Sequence, residues 1–205
     1  MPIVLEEIMM LKTRVKVSAI DNLSDARYCA GMGVDWLGFA LHNMPLDKYK
    51  EIRNWLSGVE VVAELSGVSA DQMKEIVQNY APDWIEVDSR AQLPRLLELD
   101  IPKMMRVNID TDNLPALFAT AAPYVNYFLL VADSPDSLLG MEAQIETWAA
   151  QYPVILGLEL PEEDLEEWVE QSSIQGIGLT AGQEDRPGFR DFTDLMSILE
   201  KLETE

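Results

Sequence analysis

Hydrophobic residues along this 205-residue chain fall into two alternating patterns. Short runs rich in Val, Ile and Leu are separated by longer stretches whose apolar positions recur every three or four residues. A short apolar run bounded by turn residues reads as a strand, and the longer spacing reads as one face of a helix. The runs are VKVSA from Val15, WLGFAL from Trp36, VEVVAEL from Val59, WIEV from Trp84, KMMRVNI from Lys103, VNYFLLVA from Val125, VILGL from Val154 and IGLT from Ile177. The first helical stretch covers 23–32, with Ser24 as its predicted N-cap and a close before Gly33. The second covers 46–56 and puts Leu46, Tyr49, Ile52 and Leu56 on one face. The third starts at Ser69 and carries Met73, Ile76, Val77 and Tyr80. The rest cover 92–99, 114–121, 138–151, 162–170 and 192–202.

Near-continuous apolar strands suit a parallel sheet covered by helices. Their alternation with helices permits an open doubly wound sheet or a closed barrel. Eight such units in 205 residues, joined by short loops with no linker-like stretch, favour a closed α/β barrel, the (β/α)8 TIM barrel, as one domain over 1–205. Residues 1–13 read as an N-terminal extension, and the amphipathic IVLEEIMML within it is expected to pack on the barrel. Such barrels carry their sites at the C-terminal ends of the strands. The positions there are Ser18, Ala19, Leu41, His42, Ser66, Glu86, Asp88, Arg106, Asn108, Val131, Asp133, Gly157, Glu159 and the loop 180–190.

Charge narrows the function. The chain holds 15 Lys and Arg against 36 Asp and Glu, a formal net charge of −21. A nucleic-acid surface needs clustered cations, so nucleic acid is not expected as a partner. The runs EEDLEEWVE and LEKLETE read as solvated helix exteriors. A small anionic ligand remains compatible, because a local ring of backbone N–H groups binds phosphate inside an acidic protein. No apolar run reaches the ~20 residues of a membrane span, and the N-terminus lacks the pattern of a secretory signal. The one cysteine, Cys29, allows no internal disulfide, which points to the reducing cytoplasm.

Several segments in order resemble the phosphoribosylanthranilate isomerase family of tryptophan biosynthesis. VKVSAIDNLSDA follows the layout of that family's first strand, K-I-C-G, and the turn after it. GVDWLGF from Gly33 is similar to G-A-D-x-L-G-F, and DWIEVDS from Asp83 to D-x-V-Q-L-H-G. TAGQEDRPGFRD from Thr180 matches S-S-G-V-E, two residues and P-G-x-K-D with no gap. The resemblance implies the barrel fold and an isomerase that opens a phosphorylated aminoaldose and moves a proton from C2, without cofactor or metal. It assigns the base to a Cys ending strand one and the acid to an Asp ending strand six.

The chain departs from that pattern where the chemistry lies. Ser18 and Ala19 stand at the Cys-Gly positions. A thiol can be tuned to accept a proton near neutrality, and a serine hydroxyl cannot do so unaided. Cys29 lies inside the first helix and reads as a small buried residue. The acid position falls on Val131 without a gap, or on Asp133 with a two-residue shift, and both face one side of an extended strand. Asp133 also reads as a turn cap. The arginine that the family uses for the anthranilate carboxylate is missing from LHNMPLDKYK, with only Lys48 nearby. Glu86 and Asp88 replace the Gln and His of strand four, and with Glu64 and Glu159 they predict a more acidic mouth. Of the two glycines after strand seven, Gly157 stays and Leu158 replaces the other. Thr180, Ala181 and Gly182 occupy the last phosphate loop, and Arg106 is a further candidate for substrate or phosphate. His42 is a candidate proton carrier at the rim.

Three readings follow. The first is a divergent family member that has lost or changed its chemistry and binds a different sugar phosphate, a cationic ligand or a protein. The second is a working isomerase with Asp133 as acid and Ser18, or water, in place of the thiol. The third is a non-catalytic barrel acting through a protein contact. Either a monomer or a homodimer fits.

Overall fold

The computed structural model describes residues 10–134, 139–158, 160, 164–181, 184–186, 189–190 and 193–204. Eight parallel strands form a closed barrel in chain order: β1 (Arg14–Ser18), β2 (Trp36–Phe39), β3 (Glu60–Glu64), β4 (Trp84–Val87), β5 (Lys103–Asn108), β6 (Tyr127–Val131), β7 (Val154–Gly157) and β8 (Gly176–Thr180). The seam between β1 and β8 pairs Arg14 with Gly176 through to Ser18 with Thr180. Around the barrel lie α1 (Leu23–Gly31), α2 (Leu46–Arg53), α3 (Ala70–Tyr80), α4 (Leu114–Ala121), α5 (Glu142–Ala149), α6 (Leu165–Gln171) and α7 (Thr193–Lys201). The fold is the expected (β/α)8 barrel.

Strand alternation sorts each strand into two faces. The outward set, such as Val15, Val17, Ala63, Ile85, Val87, Met105 and Val107, is buried beneath the helices. The inward set includes Trp36, Val62, Met104, Leu129 and Ile155, which form a separate apolar layer inside the barrel. At the lower side of that layer Trp36 joins Trp84 and Tyr127, also first residues of their strands, in an aromatic floor. Trp36 and Trp84 both donate their indole N–H to Glu60 Oε2, at 3.0 and 2.9 Å. Arg14 lies over the Trp36 and Tyr127 rings, 5.6 and 5.8 Å from their centroids.

Local structure differs from the sequence reading at several points. The stretch expected as a helix over 92–99 is a 3-10 helix, Arg90–Leu96. Pro94 inside it has no N–H to give and crowds the preceding turn, so a full α-helix does not form. The N-cap of α1 is Asn22, whose side chain accepts from the Asp25 N–H at 2.9 Å, and Ser24 lies within the helix. Ser69 caps α3 as expected, in a reciprocal capping box with Gln72. The helix expected from 138 begins at Glu142, after a turn at Leu139 and Gly140. A two-stranded antiparallel ribbon, β9 (Glu184–Arg186) with β10 (Phe189–Arg190), lies within the stretch 180–190 expected as a loop.

The chain leading into β1 is tied to the segment that closes α7. Lys12 N donates to Leu202 O at 2.7 Å, and Thr204 N to Met10 O at 2.9 Å. Residues 1–9 of the expected extension lie outside the described residues, as do Glu159 and Gly182.

Candidate functional site at the C-terminal mouth of the barrel

Four charged side chains project into the upper barrel, each flanked in sequence by apolar residues. They are Lys16, Glu64, Glu86 and Arg106. Their neighbours in sequence are apolar and point outward: Val15 and Val17, Ala63 and Leu65, Ile85 and Val87, Met105 and Val107, all at most 2% exposed. Burying those pairs under the helices leaves the intervening side chain no direction but inward.

The centre of the group is Lys16, which has no exposure at all. Its Nζ donates to Ser18 Oγ at 2.6 Å and to Glu64 Oε1 at 2.7 Å. Glu86 Oε2 lies 2.8 Å away as an ion pair, out of line for a hydrogen bond. Glu86 is 1% exposed, and its other oxygen meets Arg106 Nη1 at 3.5 Å. Glu64 Oε2 accepts from the Ala19 N–H at 3.2 Å. Two cations thus face two carboxylates. Desolvating a charge costs several kcal/mol per ion, and close opposite charges offset that cost. The acidic interior expected from Glu64 and Glu86 is in fact charge-balanced.

Protonation follows from this pairing. Burial by itself pushes the Lys16 ammonium down, but the Glu64 and Glu86 carboxylates outweigh it and hold the group above its ordinary value. Burial pushes Glu64 up, and the Lys16 ammonium outweighs that, with help from Ala19 N–H and the Ser18 hydroxyl, so Glu64 sits below its ordinary value. Because the folded pKa of Glu64 is lowered, its contribution to stability is present above the unfolded value of about 4.3 and lost as pH falls through the folded one. Lys16 has a raised folded pKa, so its contribution is complete below about 10.4 and fades as pH rises further. Chemical denaturation between about pH 5 and 9 is expected to show no loss from this network. Wild type should lose more stability than Glu64→Gln on going from pH 5 to 3, and equal losses would contradict the pairing.

The same contacts define what Ser18 can do. Its oxygen accepts from an ammonium, at 2.6 Å. A hydroxyl in that setting is a poor proton acceptor. Lys16, kept charged, offers no free amine for nucleophilic or Schiff-base chemistry. Ala19 next to it has φ +61. A left-handed backbone costs a non-glycine residue roughly 1–2 kcal/mol, and the resembled family has glycine there. Ala19→Gly is therefore expected to raise stability by about 1 kcal/mol in denaturant titration.

At strand six the two candidate positions are separated in space. Val131 is its last residue, pairs with Asn108 and Gly157, and packs against the inner apolar layer. Asp133 lies beyond the strand and is exposed. The two glycines near this wall serve packing. A Cβ on Gly157 would come 2.9 Å from Leu129 Cδ1, and one on Gly178 would come 2.7 Å from the same atom. Leu158 is buried. At the end of β8, Thr180 is exposed, and the Ala181 N–H is spent on Ser18 O at 2.9 Å.

The remaining candidates are scattered around the rim. His42 is exposed, with Nδ1 3.3 Å from the Glu64 carbonyl and Nε2 2.8 Å from the Asn43 side-chain amide. Asp88 is exposed and accepts from the Gly67 N–H at 3.1 Å, apart from the buried Glu86. Among the described residues no group of His, Cys, Asp or Glu is placed to hold a metal. Cys29 is buried in α1, its thiol pushed up to about 12 by burial and by Asp25. Lys16 and Gly38 are functional positions that strand-end spacing does not single out. Gly38 leaves room for the pair of Lys16 and Glu64, since a Cβ there would lie 2.1 Å from Glu64 Oε1 and 2.9 Å from Lys16 Nζ. The available signal was a lone charge of inward parity in each of several apolar strands.

The molecule is thus an eight-fold β/α barrel with a charge-filled mouth. Its solved likenesses include phosphoribosylanthranilate isomerases. The enzyme from Thermotoga maritima aligns at a TM-score of 0.73 and 17% identity, over 92% of this chain and 97% of its own. That from Thermus thermophilus aligns at 0.72 and 19%, over 92% and 98%. A third, in complex with reduced 1-(o-carboxyphenylamino)-1-deoxyribulose 5-phosphate, aligns at 0.71 and 16%, over 93% and 97%. At such identities the likeness is one of fold. No family model and no curated protein matches the chain. Among the described residues no helix is long and apolar enough to cross a membrane.

Proposed function

We propose that this chain is a divergent member of the phosphoribosylanthranilate isomerase family whose mouth no longer carries out the isomerisation and instead binds a small ligand. The observation that carries this reading is the state of Ser18. It stands where the family has its thiol base, with the Lys16 ammonium on its oxygen at 2.6 Å. Removing a general base costs about 10²–10⁴-fold in rate. Val131, which ends β6 facing inward, has no proton to give. The phosphate-side features weaken with it, since the Ala181 amide is engaged and Leu158 fills the place of a glycine. A single cysteine agrees with the cytoplasm as its compartment.

The reduced aminodeoxyribulose phosphate bound by one of the isomerases is the direct probe. Titration calorimetry is expected to give no saturable heat with it. A tryptophan auxotroph lacking the isomerase is expected not to grow when supplied with this chain. Saturable binding together with growth would overturn the proposal and favour an isomerase working through Asp133.

A further inference from the structure

Of the four charges in the mouth, Arg106 is the one that reaches solvent, its side chain 36% exposed against 0% for Lys16, 14% for Glu64 and 1% for Glu86. It projects inward from β5 between Met104, which belongs to the inner apolar layer, and Asn108. Glu86 holds it from below through Nη1 at 3.5 Å. A guanidinium carries five N–H donors, and the rest of this set has no partner among the described residues. Asn108 stands on the same strand face two residues on. Its carbonyl oxygen is taken by the Asp110 N–H at 2.8 Å, which leaves its NH2 group as a further donor. Val131 pairs with Asn108 on the next strand and gives the wall an apolar side.

We infer that the mouth binds a small monocarboxylate through Arg106, rather than a phosphate. The inference rests on the reading that the isomerase chemistry is gone, and it names the ligand class of the same site. A planar guanidinium meets the two oxygens of a carboxylate as a fork, with charge-assisted hydrogen bonds. A phosphate in a barrel of this kind is held by several converging backbone N–H groups near strands seven and eight. Among the described residues, the amides that follow β1 and β8 are engaged: Ala181 with Ser18 O at 2.9 Å, Ala19 with Glu64 Oε2 at 3.2 Å, Ile20 with Gly38 O at 2.8 Å. Charge points the same way. Glu86 backs Arg106, and Asp88, Asp110 and Asp133 are exposed on the loops of this rim. A dianion meets twice the repulsion of a monoanion there.

The test is a titration of the full chain with butyrate and, separately, inorganic phosphate at matched ionic strength, read by the NMR resonances of the arginine Nε–H groups and by calorimetry. Butyrate is expected to shift the Arg106 resonance saturably, and phosphate to give no saturable change. Arg106→Lys keeps the charge, loses the fork and should weaken butyrate binding about tenfold. Arg106→Gln should abolish it. Phosphate binding tighter than butyrate, or butyrate binding unchanged in Arg106→Gln, would overturn the inference. Neither outcome bears on turnover of phosphoribosylanthranilate, so the two proposals fail separately.

Discussion

Lys16→Met is expected to destabilise the fold by about 3–5 kcal/mol, the range for removing one partner from a buried ion pair. The substitution keeps the length of the side chain and takes away the ammonium at the centre of the network. Glu86, 1% exposed, is left with Arg106 at 3.5 Å, and Glu64 with the Ala19 amide and the Ser18 hydroxyl. Protonating a carboxylate lessens the penalty, so the variant should also become more stable relative to wild type as the pH is lowered. The companion variant carries Lys16→Met, Glu64→Leu and Glu86→Leu. Replacing a whole buried charge group by apolar residues is often neutral or stabilising, so it should regain most of the loss. Denaturant titration of both reads the outcome. A loss below about 1 kcal/mol for Lys16→Met alone would mean that the interior does not depend on the ammonium.

Gly38→Ala is expected to cost about 3 kcal/mol, a fall in Tm of roughly 6–12 °C for a chain of this size. The added methyl would lie 2.1 Å from Glu64 Oε1 and 2.9 Å from Lys16 Nζ. A glutamate tip can swing away, but this one is pinned by Lys16 at 2.7 Å and by the Ala19 amide. Moving it breaks both contacts and loosens the backbone at a residue already held at φ +61. Gly31→Ala is the control. A Cβ at Gly31 in α1 meets nothing within 4 Å, so the change should be neutral or stabilising by about 0.5–1 kcal/mol. Thermal unfolding of both variants checks the contrast.

The barrel could be read from the chain because each strand is a local apolar run and each helix a local repeat. Those signals need no knowledge of distant residues. The 3-10 helix was legible in principle, since Pro94 lies inside the apolar spacing that suggested an α-helix. The choice between Asn22 and Ser24 as cap was not, because both residue types cap well and only the entry angle of the chain decides. The mouth was half legible. Ser18, Glu86, Asp88, Arg106 and Val131 could be placed at strand ends from spacing alone. Their partnerships could not, because Lys16, Glu64, Glu86 and Arg106 come from separate strands and meet only when the barrel closes. Glu64 and Glu86 counted singly look like an acidic mouth, and beside Lys16 and Arg106 they are neutralised. Where β6 stops is set by its pairing with β5 and β7 rather than by its own residues.

The central claim is that the scaffold has kept its shape while the proton-transfer groups have gone, and turnover measures it most directly. Purified chain is mixed with phosphoribosylanthranilate, and disappearance of the substrate is followed at neutral pH beside an Asp133→Ala variant. The account predicts no rate above the uncatalysed background for either protein. A wild-type rate well above background that Asp133→Ala abolishes would contradict it.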